Sequence, residues 1–275
     1  MQRFHSFPLL KAISQLTLLL VLAVQFLFLT SLPQVHQVAA QCTTVVTRRE
    51  FRTLSGDERS RYFAAVRALK GPEGSTRPNQ FDRFAQLHTS QAWPIHSRPQ
   101  FLPWHRAFTR DWEQALQRAS GDPTVFQPYF DFTIDSQNPP ASPLWSDDWI
   151  SGNGRQGDQC VVNSSGTMGS LTMYYIGTGQ VSQHCLRRNF NFQPYAPLSA
   201  VQTVMAEQAD FQRFATNVEN ALHPHVHLNT GGDASGMEAP NDLIFFFHHT
   251  FVDYIWSTWQ AMNNGARFWD YGGTN

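Results

Sequence analysis

The sequence predicts a mainly α protein in which four principal helices surround one core, joined by long irregular loops. Three observations carry this reading. Several segments repeat apolar residues at three- and four-residue spacing. From Phe132 to Leu198 that pattern gives way to Pro, Gly, Ser and Asn, the composition of a long loop region with short strands at most. And 41% of the 275 residues are apolar and 13% aromatic, which suits one sizeable core and excludes a disordered or fibrous chain. Charge narrows the partners. Lys and Arg number 20 against 21 Asp and Glu, and no basic run exists beyond Arg48, Arg49 and Arg52. Nucleic acid is not an expected partner of so neutral a chain.

At the amino end an apolar run from Gln15 to Leu32 follows Arg3 and Lys11 and precedes the small residues Val38-Ala39-Ala40. This is the layout of a secretory signal peptide over residues 1–40, with a mature domain over 41–275. An uncleaved anchor is the alternative, because the run is close to the ~17 residues that suffice to span a bilayer. Either way the domain lies outside the cytosol, and after cleavage it is secreted with no stable hold on the membrane. In that oxidising setting Cys160 and Cys185 are the expected disulfide pair, closing a Gly- and Ser-rich loop, and Cys42 is left free or bonded to another chain. The sequon Asn163-Ser164-Ser165 lies in the same loop and suits a surface segment.

A first helix is signalled by Ser55-Gly56-Asp57-Glu58 followed by Tyr62, Phe63, Val66 and Leu69, and ends near Gly71-Pro72. Its acidic first turn complements the helix dipole. A second helical stretch covers about Gln80 to Thr89, with Phe81, Phe84, Ala85 and His88 along one stripe. A third begins at Pro103-Trp104 and runs to about Ala119, with Trp104, Phe108 and Trp112 inward; Pro103 sits where a missing amide donor costs nothing. Helix returns from Val201 to about Leu222, and again from about Asn241 to Met262.

Nine of the 11 histidines lie between His88 and His249. His88, His96 and His105 form one set in the first half, and His223, His227 and His249 a second set further on. His223 and His227, at i and i+4, place two imidazoles on one helix face about 6 Å apart along the axis, within reach of one ion. Neutral imidazole suits zinc or copper, and the lack of nearby thiolates argues against a structural zinc knuckle.

The stretch Phe101-Leu102-Pro103-Trp104-His105-Arg106, continued by Trp112-Glu113 and Leu116-Gln117, resembles the copper A signature of the tyrosinase family. Pro240-Asn241-Asp242-Leu243-Ile244-Phe245-Phe246-Phe247-His248-His249, continued by Asp253, Trp256, Trp259 and Gln260, resembles its copper B signature. Arg48-Arg49-Glu50, Tyr129-Phe130-Asp131-Phe132 and Cys185-Leu186-Arg187-Arg188-Asn189-Phe190 add further matches, so the likeness spans about Cys42 to Gln260. The resemblance implies a four-helix bundle around a dinuclear copper site, with His88, His96 and His105 on one ion and His223, His227 and His249 on the other. It implies that His248 lines the substrate cavity beside a ligand. It also implies that Asp253, one turn after His249, accepts the free N–H of a ligand imidazole; an ordinary helix hydrogen bond is the alternative.

The implied activity is oxidation of o-diphenols to o-quinones with O2, joined in some members by ortho-hydroxylation of monophenols. Two ions of one electron each suit the two-electron chemistry of dioxygen. Members strong in hydroxylation carry Asn or Asp after the first copper B histidine and use it, with an upstream Glu, to hold a water. Here Pro224 takes that place and Glu219 stands alone, so small phenolic diphenols are the expected substrates and hydroxylation is expected to be weak. Gly236 matches the position where other members cover the copper with Phe or Val, and it leaves the entrance open. Leu243 replaces a customary Pro, Pro94 replaces the cysteine of a thioether-linked histidine, and Ala68 stands where some members have a partner for the early cysteine. Two rivals remain: a haemocyanin-like oxygen-binding protein, against which an open entrance argues, and a catalytically inactive relative holding zinc or no metal.

Overall fold

A computed structural model describes residues 45–71, 78–162, 172–207 and 210–272. The 1–40 segment, Cys42 and the sequon at Asn163 lie outside them. In chain order the elements are α1 (Gly56–Lys70), α2 (Asp82–Ile95), α3 (Phe101–Ser120), β1 (Thr172–Tyr175), β2 (Val181–Cys185), α4 (Leu198–Glu207), α5 (Phe211–Asn217), α6 (Pro224–Thr230) and α7 (Ile244–Gly265). The mainly α expectation holds, and the loop-rich middle contributes one antiparallel hairpin, with Met173 opposite His184. No helix of the described residues is long and apolar enough to cross a membrane.

Helix α1 begins with the reciprocal cap its sequence announces. Ser55 Oγ accepts from the Glu58 amide at 3.2 Å, and the Glu58 carboxylate accepts from the Ser55 amide at 2.9 Å. Its last residue, Lys70, is buried and donates to Asp82 Oδ1 at 2.6 Å, tying the end of α1 to the start of α2. Helix α2 runs past the expected stop, through Pro94, and ends with His96 in extended conformation (φ −91°, ψ 149°).

The helix expected over 201–222 is instead broken into pieces. Asp210 is extended and its carboxylate accepts from the Arg213 amide at 2.9 Å, starting α5 afresh. Pro224 then removes an amide and crowds the preceding turn, and Val218–Leu222 widen into a π-helical turn closed by the His223 amide on the Val218 carbonyl at 2.9 Å. Next comes a close approach that only glycine allows. At Gly231 (φ 65°) and Gly232 (φ 55°) a Cβ would collide with the carbonyls of Asn189 and Arg187.

The core is aromatic. Phe246 of α7 stacks on Trp112 of α3 at 3.8 Å and 8°, and Trp259 stacks on Phe214 at 4.5 Å and 11°. Phe130 of the Tyr129–Phe132 motif donates its amide to the Phe247 carbonyl at 2.9 Å, fastening the long loop to α7.

Cys160 and Cys185 are joined, with Cα atoms 5.5 Å apart and a sequence separation of 25. A loop of that length is expected to contribute about 3 kcal/mol. Thermal unfolding with and without a reductant checks this. A fall in midpoint of about 10 °C is expected for a domain of this size, and an unchanged midpoint would show that the hairpin holds without the bond.

Candidate metal centre

Helix α2 carries His88 and ends on His96, α3 carries His105, His223 caps the start of α6 and α6 itself carries His227, and α7 carries His248 and His249. The ring nitrogens of His88, His96 and His105 lie within 4.8 Å of one another, as do those of His223, His227 and His248. His249 lies between the two groups. Its ring stacks on His105 at 4.3 Å and 12°, and its Nε2 is 3.2 Å from His227 Nε2. His88 and His105 bring their Nε2 atoms to 3.4 Å.

The hydrogen bonds behind the rings decide which nitrogen faces the centre. Nδ1 of His88 donates to the Met237 carbonyl (2.6 Å), His96 to Ala92 (3.0 Å), His105 to Phe101 (2.8 Å), His223 to Glu219 (3.2 Å) and His227 to Ala234 (2.8 Å). A carbonyl only accepts, so each Nδ1 holds the proton and each Nε2 keeps a lone pair. His248 is reversed. Its Nε2 donates to the His223 carbonyl at 2.9 Å, and its Nδ1 has no hydrogen-bond partner among the described residues.

Burial keeps these rings neutral. It pushes His88 down to about 3 and His227 to about 4. His105, His223, His248 and His249 are held well below their ordinary value by burial and by one another, and burial lowers His96 as well. His96 and His227, one from each group, are only half-buried and mark the side nearer solvent. Uncharged donors with inward lone pairs are the chemistry a late first-row metal needs.

The other expected residues fall as follows. Glu219 is buried; its Oε1 accepts from the Ser97 amide at 2.6 Å, and burial pushes its carboxyl up to about 7. Ser97 follows His96 and sits at φ 56°, so Glu219 braces the loop that carries His96. Pro224 opens α6. Gly236 abuts Glu238, whose carboxylate fills the space a Cβ would need.

Two expectations need correction. Among the described residues Asp253 accepts from no imidazole; its oxygens take Arg106 Nε and, at 3.2 Å, Arg48 Nη1, because two guanidinium ions outcompete a neutral ring N–H for a carboxylate. Arg48 also holds Glu113 at 2.9 Å, so Asp253 belongs to an ion-pair network joining the amino-terminal segment to α3 and α7. His248 has no exposed surface and packs on Phe132 at 5.7 Å, so it lines no open cavity. Sequence reasoning missed the Ala234 and Met237 carbonyls, which carry no side-chain signal, and the Arg188–Asp242 pair, although both of its members stand in the matched motifs.

A helical bundle that gathers buried, neutral imidazoles into two adjoining groups defines a histidine-held metal protein. The profile of the common central domain of tyrosinase matches residues 78–262, and the chain belongs to the tyrosinase family. It is 32% identical over 253 residues to tyrosinase-like protein phomQ2 of Diaporthe leptostromiformis, covering 85% of this chain and 63% of that protein. It is 29% identical over 254 residues to the tyrosinase of Streptomyces glaucescens, covering 84% and 88%. A polyphenol oxidase variant from Thermothelomyces thermophila superposes with a TM-score of 0.68 at 26% identity, over 81% of this chain and 74% of that one. The chain spans about two thirds of two fungal relatives, 66% and 63% of their lengths.

Proposed function

We propose that the protein is a type-3 copper phenol oxidase, with His88, His96 and His105 holding one copper ion and His223, His227 and His249 the other. The observation that carries this is the common polarity of the rings: five Nδ1 protons are committed to backbone carbonyls and five Nε2 lone pairs are left, with the His249 Nε2 3.2 Å from that of His227. Copper so held would pass electrons from the diphenol to O2. The protein's own residues set what reaches it. Trp93 and Leu228, near in sequence to the half-buried histidines, are exposed at 83% and 60%, and Met237, whose carbonyl holds His88, at 40%; these side chains suit an apolar ring.

Substrate preference follows from what stands beside His223. Pro224 has no polar side-chain atom, and Glu219 already spends an oxygen on the Ser97 amide while burial favours its protonated form. Glu219 is then left without a second polar side chain beside His223 to help it hold a water, so we assign oxidation of o-diphenols to o-quinones, with weak hydroxylation of monophenols. Gly236 has no side chain of its own, and the Glu238 carboxylate occupies the space a Cβ there would take. The disulfide supports a secreted protein.

Oxygen uptake by the copper-loaded protein tests this, with catechol in one cell and a simple phenol in the other. Brisk uptake with catechol and little with phenol is expected. Equal uptake would overturn the Pro224 argument. No uptake with either, from protein holding two coppers, would overturn the oxidase and favour reversible oxygen binding.

A further inference from the structure

The loop between α6 and α7, from Gly231 to Asn241, serves both histidine groups. Its Ala234 carbonyl accepts from His227 at 2.8 Å, and its Met237 carbonyl accepts from His88 at 2.6 Å. Thr89 Oγ1, 2.8 Å from the Ala85 carbonyl, lies 3.1 Å from the Met237 carbonyl and shares its one proton between the two. A shift of this one loop therefore reaches one member of each group. A backbone carbonyl is held only as firmly as the residues that pin its chain.

The pins come from the hairpin. Asp233 is buried, and its Oδ2 accepts from His184 Nε2 at 2.9 Å and from Asn241 Nδ2 at 3.2 Å. Its amide donates to the Arg187 carbonyl at 3.0 Å. His184 lies on β2 next to the disulfide-bonded Cys185, and its Nδ1 meets the Ser182 carbonyl at 2.7 Å. Both partners of His184, the Asp233 carboxylate and the Ser182 carbonyl, are acceptors, an arrangement that favours a proton on each ring nitrogen. Burial alone would oppose that charge; the Asp233 carboxylate overcomes it and raises the ring's affinity for protons. Asn241 donates to the Tyr175 carbonyl of β1 at 2.8 Å, a second tie between loop and hairpin. Glu238 adds a third, since its carboxylate fills the space above both Gly236 and Gly177.

We propose that Asp233, held by His184 of the hairpin, is a positioning residue for both histidine groups at once, acting through the Ala234 and Met237 carbonyls. This rests on the dicopper reading above. No hydrogen bond joins Asp233 or His184 to any of the six ligand histidines; their effect passes through backbone, and it predicts that the two metal ions weaken together.

Competition between the full chain and a graded series of copper(II) chelators reads the two affinities. Asp233→Ala and His184→Ala are each expected to weaken both ions by about 10- to 100-fold, the range for lost partners of ligand histidines. His184→Gln keeps a donor toward Asp233 and is expected to restore most of the loss. Arg52→Ala breaks ion pairs with Glu50 and Asp135 that touch none of these residues, and is expected to lower the unfolding temperature while both affinities stay at wild type. Weakening of the His227 group alone, unchanged affinities, or an equal loss in Arg52→Ala overturns the coupling. A wild-type chain that takes up no copper overturns the dicopper reading, and the proposal with it.

Discussion

His249→Ala is expected to hold one copper ion in place of two and to lose at least about 1000-fold in catechol-dependent oxygen uptake, equivalent to about 4 kcal/mol of metal assistance. His248→Ala is expected to hold both. The two residues are neighbours in sequence and both are buried, so proximity does not separate them; one ring nitrogen each of His223, His227 and His248 also lie within 4.8 Å of one another. What separates them is the backbone hydrogen bond that His248 makes, since the Nδ1 of each is without a hydrogen-bond partner among the described residues. His248 donates from Nε2 to the His223 carbonyl at 2.9 Å, which leaves it only an Nδ1 lone pair and makes it a brace for the backbone of another histidine. His249 is packed between Phe245, at 4.1 Å and 30°, and His105, at 4.3 Å and 12°, with Nε2 against that of His227. Metal content by elemental analysis, read beside oxygen uptake, checks the assignment. Two ions in His249→Ala and one in His248→Ala would reverse it.

The parts legible in the sequence were those written in side-chain period. Helices α1, α3 and α7 follow their apolar stripes because each buries one face in a shared aromatic core, and the Ser55–Glu58 cap is a local code. Helix α2 runs beyond the expected Thr89: Pro94 stands one residue before the helix's last position, and His96 follows at once in extended conformation. The stretch around Pro224 was misread in the other direction: an apolar pattern suggested one helix where a capping Asp210 and a proline impose two breaks. The histidines could be found by spacing and resemblance. Their orientation could not, because it is set by backbone carbonyls whose positions depend on chain distant in sequence. Asp253 shows the same limit. One of its partners, Arg48, lies 205 residues away, and no local pattern announces a guanidinium there.

Arg188→Met is expected to destabilise the protein by about 3–5 kcal/mol, seen as a fall in unfolding midpoint of about 10 °C or more, and to weaken metal retention with it. Arg188 and Asp242 are both fully buried and paired at 2.6 and 2.7 Å. Removing the guanidinium strands a carboxylate that no water can reach. It also strips a donor from the carbonyls of Ile150, at 2.9 Å, Gly152, at 3.1 Å, and Ser151 between them, where the chain turns through φ 66°. The pair lies across the joints of the site: Asp242 Oδ1 accepts from the Ile244 amide at 3.1 Å, starting the helix that carries His249, and the neighbouring Arg187 carbonyl holds Asp233. For an isolated buried ion pair, replacing both partners by apolar residues recovers much of the loss. Here Arg188→Met combined with Asp242→Leu is expected to stay well below wild type, because the three carbonyls remain unpartnered whatever replaces the carboxylate. Chemical denaturation of the single and double variants measures the difference. Full recovery in the double variant would show that the charge pair, and not the carbonyl clamp, is what Arg188 is there to satisfy.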